Sequence, residues 1–282
     1  MSKLLRAGFT RLWKSRIFWI CMAVSFGIGT LGSITRYREM LETPGYPYYM
    51  EDILFSNCIF MPIFSAVFAG LFIGTEYSDG TIRNKLIVGR TRYEVYFSNM
   101  IVCTAGLLLI HAADIAAILC IGFPLVRTVN APISSLILLG LISIVTVTAL
   151  SAVFTLMSML IHHKAGCCVA AVLLSFIFLV SAMTIEGLLS APEYYPSISA
   201  SFMDESGEMQ IENTGEIKNP HYLTGTKRKV YEFLYDFLPG CQMLQIAAQS
   251  PENPGILPLY SLSIIVAATA CGTFFFRRKN IN

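Results

Sequence analysis

The sequence predicts an all-α integral membrane protein with six transmembrane helices, and three observations carry that expectation. Hydrophobic residues make up 55% of the 282 positions and charged residues 13%, whereas a soluble domain averages about 25% charged. Six runs, at about 17–34, 53–74, 96–124, 133–160, 166–189 and 256–276, reach the roughly 20 apolar residues that cross a hydrocarbon core. Four of these runs hold no charge; the third contains Asp114 and the fifth Glu186. Finally, thirteen of the twenty Lys and Arg fall in 1–16, 75–94, 161–165 and 277–282, against seven in the longer segments 35–52, 125–132 and 190–255. The positive-inside rule then places both termini and the 75–94 loop in the cytoplasm. On this reading the whole chain, 1–282, is a single multi-pass membrane domain.

Residues 1–16 carry five basic residues and an apolar stripe. The apolar run that follows is long for a signal-peptide core, and no convincing small-x-small cleavage site follows it. An interfacial helix is expected instead, with Leu5, Phe9, Leu12, Trp13 and Phe18 on its apolar face. Lys3, Arg6, Lys14 and Arg16 would meet anionic lipid headgroups. A plain basic flank that fixes topology is the alternative.

Between the second and third spans lies "GTEYSDGTIRNKLIVGRTRYEVY". Ser78 or Asp79 is placed to cap a short helix, running from about Thr81 to Val88 and stopped by Gly89. Ile82, Leu86 and Ile87 form its apolar strip, with Arg83, Asn84, Lys85 and Arg90 around them. So short a helix is marginal alone, which leaves a solvated topology loop or a docking element for a cytoplasmic partner.

Two ionisable residues share one face of the third span, His111 and Asp114. A carboxyl mid-span is costly and faces protein or water rather than lipid. It is either a contact in a translocation path or half of an intramembrane pair with His111 that fixes packing, the second reading being preferred. Glu186, near the outer end of span five, can reach water by snorkelling or act in gating. Ser143, Thr146, Thr148, Ser151, Thr155 and Ser158 give span four a row of small polar residues suited to close helix contact, or to lining a cavity. "HHK" at 162–164 reads as a second contact loop rather than a metal site, and His221 as a surface residue.

The outer segment 190–255 divides in two. Its first half is acidic and turn-rich with mixed extended character. Its second half predicts a helix with Val230, Phe233, Leu234 and Phe237 on one face, broken at Pro239 and followed by a second apolar helix, and both should lie on, or dip into, the outer membrane surface. Seven of the eight cysteines sit in apolar runs, where Cys behaves as a small hydrophobe. Only Cys241 lies in a polar segment, so no disulfide framework is expected.

The 75–94 loop resembles the first cytoplasmic loop of ABC type-2 permeases, the membrane subunits of bacterial ATP-driven exporters of the drug and peptide type. Glu76, Gly80, Thr81, Arg83, Asn84, Lys85 and Leu86 match the family pattern of a Glu closing span two before a coupling helix. Six spans, an N-terminal interfacial helix and "YEFLYDFLPGCQ" before the last span extend the likeness over nearly the whole chain. The resemblance implies that the coupling helix sits in a groove of a separate ATPase subunit present in two copies. It further implies a second permease, identical or homologous, and ATP and Mg held by the ATPase rather than by this chain. The chain has no G-x-x-x-x-G-K-[ST] loop, so the ATP-hydrolysing part would lie elsewhere, and the expected function is outward movement of an amphipathic peptide or drug-like substrate. A non-transporting sensor or immunity subunit would share the fold. An intramembrane enzyme is disfavoured because no G-x-S-x-G, no HExxH and no paired glutamates with intramembrane histidines appear. The modest net charge of +2 and scattered basic residues give no reason to expect nucleic acid.

Overall fold

The computed structural model describes residues 1–43, 46–161, 163–203 and 209–279, without the side chains of 196–216. Six helices long and apolar enough to cross a membrane form its body. Helix α1, Ser2–Lys14, stops at Ser15, whose extended backbone turns the chain and whose Oγ caps the next helix by accepting from Phe18 N. Helix α2 runs Arg16–Glu42 and buries Phe18, Cys21, Ser25, Gly29 and Ser33. The small residues at four-residue spacing let a neighbour approach closely.

The second span is segmented. Helix α3, Glu51–Leu54, and a 3-10 turn, Ser56–Phe60, precede α4, Met61–Ser78. Pro62 stands at the start of α4, where its missing N–H costs nothing. Helix α5, Thr81–Ile87, follows at once. The third span opens with α6, Arg92–Ala117, started by a capping box between Thr91 and Glu94. It continues as a π turn, Ile118–Gly122, and ends as α7, Phe123–Val126. Pro124 explains the π turn: its ring would collide with the Cys120 carbonyl four residues back, and a widened turn relieves that contact. Helices α8, Ile133–Leu160, and α9, Lys164–Leu189, complete the first five spans.

An antiparallel hairpin follows, β1 Tyr194–Met203 against β2 Met209–Lys218, with Tyr194 opposite Lys218 and register shifts around Ile198. Helices α10, Gly225–Phe237, and α11, Pro239–Ala247, lead into the last span, α12, Leu257–Arg278.

Helix α8 occupies the centre and packs most extensively on α12, α4 and α6, while α2 lies along α6 and α9 along α4. Ile142, Val147, Leu150 and Phe154 of α8 are fully buried, and three of its polar residues bond across helices. Ser143 meets His111, Ser151 accepts from Thr104 at 2.9 Å, and Thr146 donates to Gln242 at 3.1 Å. Thr148 instead is half-buried and bonds within its own helix.

Two expectations about the 225–247 helices change. On α10 the inward face is Tyr231, Leu234 and Tyr235; Val230 and Phe233 are exposed, and Phe233 and Phe237 pack against Tyr260 instead. Helix α11 does not lie on a surface. It is driven into the bundle against α9, α8 and the 3-10 turn, burying Cys241, Gln242, Met243, Gln245 and Ile246. Cys241 is thus buried, like Cys21, Cys58, Cys103 and Cys167, and all eight cysteines are free thiols.

Candidate functional site

The chain's described ends meet at one end of the bundle, beside α5. The Met1 amino group pairs with Glu94 at 3.0 Å. Lys279 Nζ, just past α12, donates to Tyr77 Oη and to the Met159 carbonyl, both at 2.8 Å. Arg92 donates to the Phe276 carbonyl at 2.9 Å and also to that of Lys279. These contacts tie α4, α6, α8 and α12 together around the 75–94 segment.

Glu76 is the centre of that segment. It sits in the last turn of α4 and is 2% exposed. Asn99 of α6 donates to its Oε2, while Arg11 of α1 and Lys85 of α5 both form ion pairs with Oε1. One carboxylate therefore joins four helices. Arg11 also lies 3.8 Å over the ring of Phe72, a cation–π contact that shelters its guanidinium. Burial lowers Arg11 to about 10, and burial followed by the charge of Arg11 lowers Lys85 to about 8. Both remain cationic at neutral pH, so Glu76 faces two positive charges in a dry site, where an ion pair is most sensitive to losing a partner.

Local geometry positions α5 over this cluster. Gly80 is its N-cap with φ 67°, a left-handed turn suited to glycine. Thr81 Oγ1 donates back to the Glu76 carbonyl at 3.0 Å. The expected cap from Ser78 or Asp79 does not form: Ser78 ends α4 and bonds to Thr75, and α5 has no side-chain cap. The turn is too tight to bring either side chain above the first amides of α5.

The expected apolar strip also divides. Ile82 is 1% exposed and Leu86 packs on the core, whereas Ile87 is 71% and Val88 79% exposed. Lys85, expected on the polar side, points inward to Glu76. Arg83 and Asn84 are exposed. Helix α5 thus holds to the body through Ile82, Lys85 and Leu86, and presents Arg83, Asn84, Ile87 and Val88 outward.

In the third span His111 and Asp114 are both buried, but they do not pair. His111 Nε2 bonds to Ser143 Oγ at 3.0 Å, and Asp114 Oδ1 accepts from Asn57 Nδ2 at 2.9 Å. The shared helical face points them to different neighbours, α8 and the 3-10 turn. Asp114 also lies against the bare Cα of Gly29, where a Cβ would come within 2.8 Å of its Oδ1. Glu186 is half-buried near the end of α9 and accepts from Tyr235 Oη of α10. His163 lies at the start of α9, His221 is exposed, and His162 lies outside the described residues.

Arg11, Asn99, Asn57 and Tyr235 escaped the reading of the sequence. One signal for Arg11 was present. The buried stripe Leu4, Gly8, Leu12 has the four-residue spacing of a packed helix face, and Arg11 flanks it.

A family model described as ABC-2 family transporter protein matches residues 4–182, from α1 to the middle of α9, and so includes all four helices that meet at Glu76. A search of curated proteins gives no match. With six spans and a match over more than half its length, the chain belongs to the ABC-2 family of transporter membrane proteins.

Proposed function

We propose that this permease subunit moves an amphipathic substrate, a peptide or drug-like molecule, out of the cell, driven by a separate ATPase subunit that docks on α5. The observation that carries the reading is the division of α5. Its inner side is fastened to three other helices through Glu76, while its outer side holds Ile87 and Val88 at 71% and 79% exposure beside exposed Arg83. A short helix cannot hold its position alone; gripped by an ion cluster, it can pass a push from a partner into α1, α4 and α6. Two permeases and two ATPases would complete the machine, with ATP and Mg on the ATPases.

The test replaces the outward residue. Ile87→Asp should leave membrane insertion and melting temperature unchanged yet abolish copurification of the ATPase. Leu86→Asp, which charges the inward contact, should lower the melting temperature. If Ile87→Asp retains both the ATPase and transport, α5 is a topology loop and the docking proposal fails.

A further inference from the structure

Helix α1 has a second side. One face, Leu4, Gly8 and Leu12, packs on α6, and Arg11 reaches under it to Glu76. The other face presents Lys3, Arg6, Ala7, Thr10 and Lys14 as an open, shallow surface bordered by Arg11. Lys3, Arg6, Lys14 and neighbouring Arg16 are exposed, and among the described residues none of them has an ion-pair partner. No acid occurs in the first 38 residues. Of the acids on neighbouring elements, Glu94 is engaged by the Met1 amino group and Glu76 by Arg11 and Lys85, while the charge of Asp79 acts on Arg11.

At the junction with the first span the surface turns aromatic. Trp13 and Trp19 are 52% and 48% exposed; their rings lie 5.8 Å apart, and Trp19 Nε1 donates to the Trp13 carbonyl at 2.8 Å. Exposed Trp at the end of a span marks the headgroup level of a bilayer, and a row of unneutralised cations at that level attracts anionic lipid.

We propose that the outer face of α1 is a binding surface for anionic phospholipid headgroups, with Lys3, Arg6 and Lys14 meeting phosphates along its length and the Trp13–Trp19 pair covering the glycerol and upper acyl region. The site needs only that α1 lie at the bilayer surface. It is independent of where the ATPase docks. Unneutralised cations along one exposed face suit anions, and a zwitterionic headgroup brings its own positive charge, so the surface discriminates between lipids.

Trp13 and Trp19 are the only tryptophans in the chain, so intrinsic fluorescence reports this location alone. The full chain is reconstituted in vesicles of equal phosphatidylglycerol and phosphatidylcholine, with acyl-chain bromines near the headgroup on one lipid or the other. Brominated phosphatidylglycerol should quench at least about twofold more strongly than brominated phosphatidylcholine. The Lys3→Gln, Arg6→Gln, Lys14→Gln variant should quench equally with both. An unchanged emission spectrum in unbrominated lipid checks that this variant is folded. Equal quenching of the wild type, or a preference that survives the triple variant, would overturn the proposal. So would an absence of quenching by either lipid with emission that shifts on adding the ATPase, which would make this face a protein interface.

Discussion

Glu76 and Asp114 are both buried carboxyls, and their surroundings give them different tasks. Glu76 has two cations and an amide donor from three other helices, so it fastens α1, α5 and α6 to α4. Asp114 has one neutral donor, Asn57, and a glycine notch in α2, so it fixes how α2, α6 and the 3-10 turn seat together. A double-mutant cycle separates the partners. Asn57→Ala strips a buried acceptor of its donor and should cost about 1–3 kcal/mol in detergent unfolding. Asn57→Ala and Asp114→Ala should then show coupling of about 0.5–3 kcal/mol. His111→Ala and Asp114→Ala should couple more weakly, because His111 bonds to Ser143. Stronger coupling for the histidine pair would restore the pairing expected from the shared helical face.

At the scale of elements, α11 is the part most constrained by its seat. Gly240 opens it against Phe178, and a Cβ there would stand 2.7 Å from both the Phe178 Cβ and its carbonyl oxygen. Backbone on the receiving side cannot rotate away. Gly240→Ala should therefore destabilise by about 1–3 kcal/mol, the usual range for overpacking, and expose the 219–256 region to protease. Gly187 of α9, with open space around it, is the control: Gly187→Ala should lose nothing and can gain a few tenths of a kcal/mol from helix propensity. Equal melting temperatures for the two variants would mean that α11 is not clamped by α9. The polar anchors of the same helix support the clamped arrangement: Gln242 accepts from Ser261 and Thr146 and donates to the Asp236 carbonyl.

For the whole molecule, the contacts among Met1, Glu94, Arg92, Tyr77 and Lys279 put both described ends and α5 on one side of the bundle, with the β hairpin following α9 and α10 and α11 on the other. Which side faces the cytoplasm rests on charge. A cysteine placed at exposed Lys227 should react with an impermeant maleimide in intact cells, and one at exposed Arg83 only after permeabilisation, in a background with exposed Cys120 and Cys271 replaced by serine. Labelling of Arg83→Cys from outside would invert the topology and place α5 out of reach of a cytoplasmic ATPase.

The number of spans was legible from the sequence alone, because crossing hydrocarbon demands a run of some 20 apolar residues whatever packs beside it. So was the existence of a short helix between the second and third spans, read as about Thr81–Val88 and found at Thr81–Ile87. What each helix turns inward was decided by the tertiary structure. A run apolar on every side gives no period from which to choose a face, and partners come from distant segments: Arg11 is 65 residues from Glu76, and Asn57 is 57 from Asp114. Periodicity could place His111 and Asp114 on one face of one helix. Only the packed bundle, with Ser143 and Asn57 brought alongside from other elements, determined that they bond apart.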